Sequence, residues 1–210
     1  MDDDIMQNAL VFVGAAGAGK DTAAAAVLDA IPGSRNLKFA SALKDATARI
    51  YGWNREKLDT DLTYKEAQAL YFDGTPQVVR GGETLTRRQI LQHVGTDIFR
   101  QLNDDVWLYA ALHDVVQAEM ADGPSRLWVV TDARFLNEVQ FLREKFQRVR
   151  VVRIHREGTT EGTAASAHIS ERQGNQIKVD QELFIGDGEI ELLQRGAVDT
   201  ALRFIGWRSV

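Results

Sequence analysis

Residues 14–22 read GAAGAGKDT, entered from the apolar run Ala9-Leu10-Val11-Phe12-Val13 and left through the alanine-rich segment Thr22 to Ala30. The order is strand, glycine loop, helix. Gly14, Gly17 and Gly19 let the backbone take positive φ and come close to an anion, with their N–H groups turned inward. Lys20 adds a cation where the free N–H groups and dipole of a starting helix already favour phosphate.

The spacing is that of a Walker A loop with one departure. At the position after the lysine, the usual serine or threonine that holds Mg²⁺ is replaced by Asp21, with Thr22 one step on. An aspartate there either holds the metal through water or caps the helix, and the sequence leaves both open.

The chain of 210 residues is long enough for one domain with a single core and an insertion or lid. Hydrophobic residues at 44% and charged residues at 26% are ordinary globular usage, which predicts neither disorder nor a membrane span. A net charge of −5 argues against a general affinity for nucleic acid and points to small partners. The absence of cysteine excludes disulfides and thiolate metal sites, and His93, His113, His155 and His168 have no zinc-like spacing. The opening MDDDIMQN is acidic where a secretory signal is basic, so a cytoplasmic location is expected.

Along the chain, Pro32-Gly33-Ser34 ends the first helix, residues 36–40 read as a short strand, and Ser41 is an N-cap for a helix through Ile50. Tyr51 to Thr86 shows turn signals without sustained alternation and reads as an insertion rich in loops. Helical spacing returns from Thr86, broken at Gly95, and again after Asn103 until Asp122-Gly123-Pro124. Leu127 to Thr131 is a continuous apolar run, as in a central parallel strand, and ends on Asp132. A helix from Arg134 to Phe146, a strand from Arg148 to Ile154, a polar stretch from His155 to Lys178, a strand at residues 183–185 and a helix from Glu189 to Phe204 complete the pattern. Alternating strands and helices predict an α/β fold, a mostly parallel sheet with helices on both faces, whose ligands sit outside the carboxyl ends of the strands. Lys20, Asp132 and Arg156 all fall there.

Asp132 and Arg134, in VVTDAR, put an anion and a cation at a strand end, suited to Mg²⁺ and to bidentate phosphate binding. The plainer alternative is an N-cap at Asp132 with an Arg134–Glu138 salt bridge on one helix face. Arg153, Arg156 and Arg172 flank the flexible segment, where arginines neutralise charge on a moving phosphoryl group. Arg153 is the weakest of them, because period-2 alternation can point it outward. Trp107 stacks on a base or fills the core. Arg87 and Arg88 reach an acceptor phosphate or remain surface charge, while His93 has no carboxylate at a telling spacing.

Together, GAAGAGKDT, LKFASALKDA, RRQILQHVGTD, VWLYA, VVTDARFLNE, RVVRIHREG, SAHISE and LFIGDGEIELL resemble, in that order, the deoxynucleoside monophosphate kinases of tailed bacteriophages. These belong to the P-loop nucleoside-monophosphate-kinase-like group. The resemblance implies a three-layer P-loop NTPase fold forming a single kinase domain over residues 1–210. It has an acceptor-binding insertion at about 41–103 and a lid at about 156–180. It implies transfer of the ATP γ-phosphoryl group to a deoxynucleoside 5′-monophosphate with Mg²⁺, in a homodimer, in the host cytoplasm for a phage-encoded chain.

By motif, Gly14 and the loop Gly17, Ala18, Gly19, Lys20, Asp21 and Thr22 hold ATP. Lys44, Arg88, Trp107, Asp132, Arg134, Glu138 and Glu171 line the acceptor site, and Lys20, Arg134, Arg156 and Arg172 serve the transfer. Asp21, Thr22 and Asp132 are the metal candidates. The rivals are a P-loop kinase of another phosphorylated metabolite, such as dephospho-coenzyme A or phosphomevalonate, and a nucleotide-dependent switch or assembly ATPase without a small acceptor.

Overall fold

The structure is a computed structural model and describes residues 6–159 and 174–206. In chain order these form β1 (Met6–Val13), α1 (Lys20–Ala30), β2 (Ser34–Leu37), α2 (Ser41–Tyr51), α3 (Lys57–Thr60) and α4 (Leu62–Glu66). A short hairpin follows, β3 (Val79–Arg80) with β4 (Glu83–Thr84), then α5 (Arg87–Gln92), a π-helical turn (His93–Phe99) and α6 (Arg100–Leu102). The remainder is α7 (Val106–Asp122), β5 (Leu127–Val130), α8 (Leu136–Lys145), β6 (Phe146–Arg156), β7 (Gln181–Ile185) and α9 (Ile190–Phe204). Among the described residues no helix is long and apolar enough to cross a membrane.

Two compact units emerge from the contacts, residues 1–38 with 113–210, and residues 39–112. The first is built on a five-stranded sheet in the order β2-β5-β1-β6-β7, every neighbouring pair parallel. Register sets Val11 beside Val130 and Val151, so β1, β5 and β6 end at one edge. The central strands β1 and β5 are apolar on both faces through residues 9–13 and 127–130. Leu10, Phe12, Leu127, Val129, Val152 and Ile154 join one cluster with Ala23, Val27, Leu193, Ala197 and Phe204 of α1 and α9. The alternate residues Ala9, Val11, Val13, Trp128 and Val130 are equally buried, as a sheet covered on both faces requires. The α/β expectation therefore holds.

The second unit has its own apolar cluster of Ala48, Trp53, Leu58, Ala69, Ile90 and Leu91, where the sequence suggested a single core and a loop-rich insertion. Its order comes from side chains that replace long ladders. The Trp53 indole N–H donates to Gln77 Oε1 at 2.6 Å, and Gln77 Nε2 donates to the Tyr51 carbonyl at 2.9 Å. Arg87 lies 4.0 Å from the centre of the Tyr64 ring and donates to the Tyr64 carbonyl at 3.0 Å. A cation that the sequence left between acceptor contact and surface charge is thus a strut of the insertion. Thr86 caps α5 through a reciprocal bond with Gln89. Ser41 instead begins α2 as a helical residue, with Ala40 preceding it and no side-chain cap.

Candidate active site

The glycine loop connects β1 to α1, and two of its glycines are required by contacts as well as by φ. At Gly14, with φ 145°, a Cβ would stand 2.5 Å from the Ile154 carbonyl oxygen of β6. At Gly19, with φ 96°, it would stand 2.5 Å from a Leu193 methyl on α9. Close packing of loop against sheet and helix excludes any other residue there. Gly19 ends the loop as the N-cap of α1, and no side chain caps the helix. The helix start, with its outward N–H groups and dipole, is left to an anion. Gly17 stands at φ 78° and Ala18 is fully buried between them.

Lys20 Nζ donates to the carbonyls of Gly14 at 2.9 Å and Ala15 at 2.7 Å, so its ammonium lies over the loop. Burial lowers its pKa, the positive charge of Arg134 lowers it further, and Asp21 opposes both. That effect reports a second cation close to the loop: Arg134, exposed beyond the end of β5. Lys20 and Arg134 are therefore brought together, as expected for residues at neighbouring strand ends.

Asp21 resolves one of the open alternatives. It is the second residue of α1, so it does not cap the helix. Its Oδ1 accepts from the Thr131 hydroxyl at 2.8 Å and from Lys38 Nζ at 3.2 Å. Burial works against its charge, but the Thr131 hydroxyl, Lys38 and Lys20 outweigh it and hold the carboxyl below the usual range. Thr22 follows on α1, half-buried. Neither Thr131 nor Lys38 was singled out by sequence. The available signal was position alone, since each stands at the carboxyl end of a strand.

Other expectations change. The helix after β5 begins at Leu136 with Phe135 before it, so Asp132, which is half-buried, does not cap it. Nor is the Arg134–Glu138 salt bridge of the plainer alternative formed: the Glu138 carboxylate accepts from the backbone N–H groups of Arg134 at 2.6 Å and Phe135 at 3.0 Å. At 3% exposure Glu138 is a buried brace that fixes the backbone carrying Arg134. Arg153 does not point outward. It is 8% exposed, and its guanidinium donates to the carbonyls of Gly174, Asn175 and Ile177, which nothing in strand alternation foretells. Arg156 donates to Asp187 Oδ1 at 2.8 Å and to the Gly17 carbonyl at 3.5 Å, at the rim of the loop. Arg172 and Glu171, with most of the expected lid, lie outside the described residues.

In the second unit, Lys44 is paired with Asp59, which also binds Arg55, and Arg88 is paired with Glu66. Burial opposes the charge of Asp59, but its hydrogen bonds to Lys44 and Arg55 and their charges prevail and lower its pKa. His93 does have a carboxylate partner: Nδ1 lies 2.8 Å from Asp97 Oδ2 and 3.1 Å from Arg80. The i,i+4 spacing was the missed signal. Trp107 is 8% exposed, packs at 5.2 Å on Phe99, and donates its indole N–H to the Gly95 carbonyl at 2.9 Å. It belongs to the interior and secures the π-helical turn, the core role that the sequence left open beside base stacking.

A family model described as deoxynucleotide monophosphate kinase matches residues 68–196. A protein of Acanthamoeba polyphaga mimivirus described as "Putative deoxynucleotide monophosphate kinase" is 29% identical over 143 residues, 63% of this chain and 67% of the viral protein. Among solved structures, a Janibacter sugar kinase aligns over 96% of this chain and 95% of its own at 16% identity and a TM-score of 0.43. A Thermus thermophilus protein aligns over 94% and 98%, at 14% identity and a TM-score of 0.46. The family match covers more than half of the chain and takes in Arg88, Asp132, Arg134 and Arg156, so the chain belongs to the deoxynucleotide monophosphate kinase family.

Proposed function

We propose that the protein transfers the γ-phosphoryl group of ATP to a deoxynucleoside 5′-monophosphate, releasing ADP and the deoxynucleoside diphosphate. The observation that carries this reading is the Lys20 ammonium held over the glycine loop by the Gly14 and Ala15 carbonyls, at a helix start with no side-chain cap, with Arg134 just beyond the end of the neighbouring strand β5. Two cations and an anion-binding helix end are suited to two phosphate groups facing each other.

The acceptor phosphate is already ionised at neutral pH, so no strong general base is needed. One of its oxygens bonds to the γ-phosphorus as the bond from that phosphorus to the β–γ bridging oxygen breaks, and ADP leaves with the electron pair. Catalysis is then positioning and neutralisation of charge. Lys20 moves from the Gly14 and Ala15 carbonyls onto the donor phosphates. Arg134, on a backbone braced by Glu138, grips the acceptor phosphate. Arg156 exchanges Asp187 for the transferring group, and Arg172 is assigned the same task by motif. In the insertion, Lys44 and Arg88 are the candidate acceptor contacts, released from Asp59 and Glu66.

The donor set fits Mg²⁺: Asp21 is held ionised, and Asp132 stands at the end of β5. Among the described residues no group of three or more His, Cys, Asp or Glu side chains could hold a metal ion. Asp21, Thr22 and Asp132 would hold it, and it would neutralise phosphate charge.

The test is ADP release from ATP and Mg²⁺ in the presence of dAMP, dCMP, dGMP, dTMP and the matching ribonucleotides, one at a time. Stimulation by at least one deoxynucleotide is expected. Slow hydrolysis indifferent to all of them would overturn the assignment.

A further inference from the structure

The transfer just described leaves Lys38 without a role. Lys38 follows the last residue of β2, and its ammonium lies 3.2 Å from Asp21 Oδ1, the same oxygen that accepts the buried Thr131 hydroxyl at 2.8 Å. Both contacts fall on Oδ1, and Oδ2 has no hydrogen bond or ion pair among the described residues. The Asp21 side chain is 77% exposed. The first turn of α1 and the ends of β2 and β5 thus present one carboxylate with one oxygen pinned and the other open.

We propose that Lys38 is the resident counter-ion of Asp21 and restricts divalent-cation binding at this carboxylate to the nucleotide-bound protein. This rests on the reading of Asp21 as a metal position in phosphoryl transfer. A hydroxyl at that place in the loop would be neutral and need no counter-charge, whereas a carboxylate would attract free divalent cations. An ammonium on the same group repels an arriving cation and supplies the charge balance in its place. Nucleotide phosphates add negative charge at the loop, which tips the balance towards the metal. The ion then enters with the nucleotide. Thr131 is a positioning residue here. By holding Oδ1 it offers a single oxygen, the mode suited to Mg²⁺, which takes few carboxylates in octahedral geometry.

The experiment is a titration of the nucleotide-free full chain with Mn²⁺, following the free ion by electron paramagnetic resonance, so that no turnover is required. Lys38→Met is expected to bind Mn²⁺ about tenfold more tightly than the unchanged chain, through loss of a nearby like charge. Lys38→Arg should bind as weakly as the unchanged chain, and Asp21→Asn added to Lys38→Met should remove the gain. Lys38→Gln, which keeps a donor without the charge, carries the same expectation if methionine disturbs folding. The proposal is overturned if neither neutral variant tightens binding, or if the gain survives Asp21→Asn. Failure of the kinase reading would show separately, as ADP release by the unchanged chain that no deoxynucleotide stimulates.

Discussion

The phosphate loop and the insertion hold their cations in different ways. Lys20 donates to carbonyls five and six residues behind it, within a loop whose shape is forced by glycines packed against β6 and α9. Lys44 and Arg88 instead meet carboxylates 15 and 22 residues away, in a unit whose ordered strands are two residues long. The loop is fixed by backbone geometry, so under the proposed function the donor nucleotide meets a preformed site. The insertion is fixed by a small apolar cluster and by ion pairs, so under the proposed function an acceptor phosphate competes with Asp59 and Glu66. Paired side chains near the surface stabilise by little, typically below about 1 kcal/mol, which makes such an exchange accessible.

The largest expected break in this comparison comes from Lys20→Ala, which should lower turnover by on the order of 10³ or more, measured as ADP release. Lys44→Ala should act mainly on the KM of the acceptor. Equal losses of turnover in both variants would erase the distinction between loop and insertion.

Leu58→Ala, at a fully buried position of the insertion, should cost about 2–5 kcal/mol of local stability. Amide exchange should then quicken across residues 39–112 while the strands β1, β5 and β6 keep their protection. Uniform loss of protection would mean that the two units do not open separately.

Arg134→Ala is expected to raise the KM of the acceptor roughly tenfold to a hundredfold, with a much smaller change for ATP. A matching rise for both substrates would remove Arg134 from the acceptor site.

The smallest effect concerns acid. The carboxyl of Asp59 is held below its usual range, so its stabilising contribution is present above the unfolded value of about 3.9 and is lost as pH falls through the depressed folded value. The difference in urea midpoint between the chain and Asp59→Asn should therefore be largest near neutral pH and shrink on acidification through that range. A gap that is constant with pH would show that the Lys44–Asp59–Arg55 ion pairing contributes nothing there.

The site was legible in the sequence where chemistry follows from local order. GAAGAGKDT between an apolar run and a helix specifies the loop, and VVTDAR after another apolar run specifies a second strand end beside it. Side chains whose partners are remote were misread or left open. Arg153 looked outward by alternation and is bound to three carbonyls more than twenty residues on. Trp107, which the sequence leaves between base stacking and the core, is tied to the backbone of Gly95. Arg87, which the sequence leaves between acceptor contact and surface charge, holds together segments that have no periodicity to reveal them.

By itself, the sequence determined the alternation of strands and helices, the parallel sheet and the cations at its carboxyl edge, because apolar periodicity and glycine spacing act over a few residues. Tertiary structure alone decided that the insertion has a core of its own, that Glu138 braces the backbone rather than pairing with Arg134, and that Lys38 and Thr131 converge on Asp21. Those outcomes depend on which strand ends become neighbours in the sheet and which buried polar groups must find partners there. Asp21 and Thr131, one such pairing, stand 110 positions apart, beyond the reach of any local pattern.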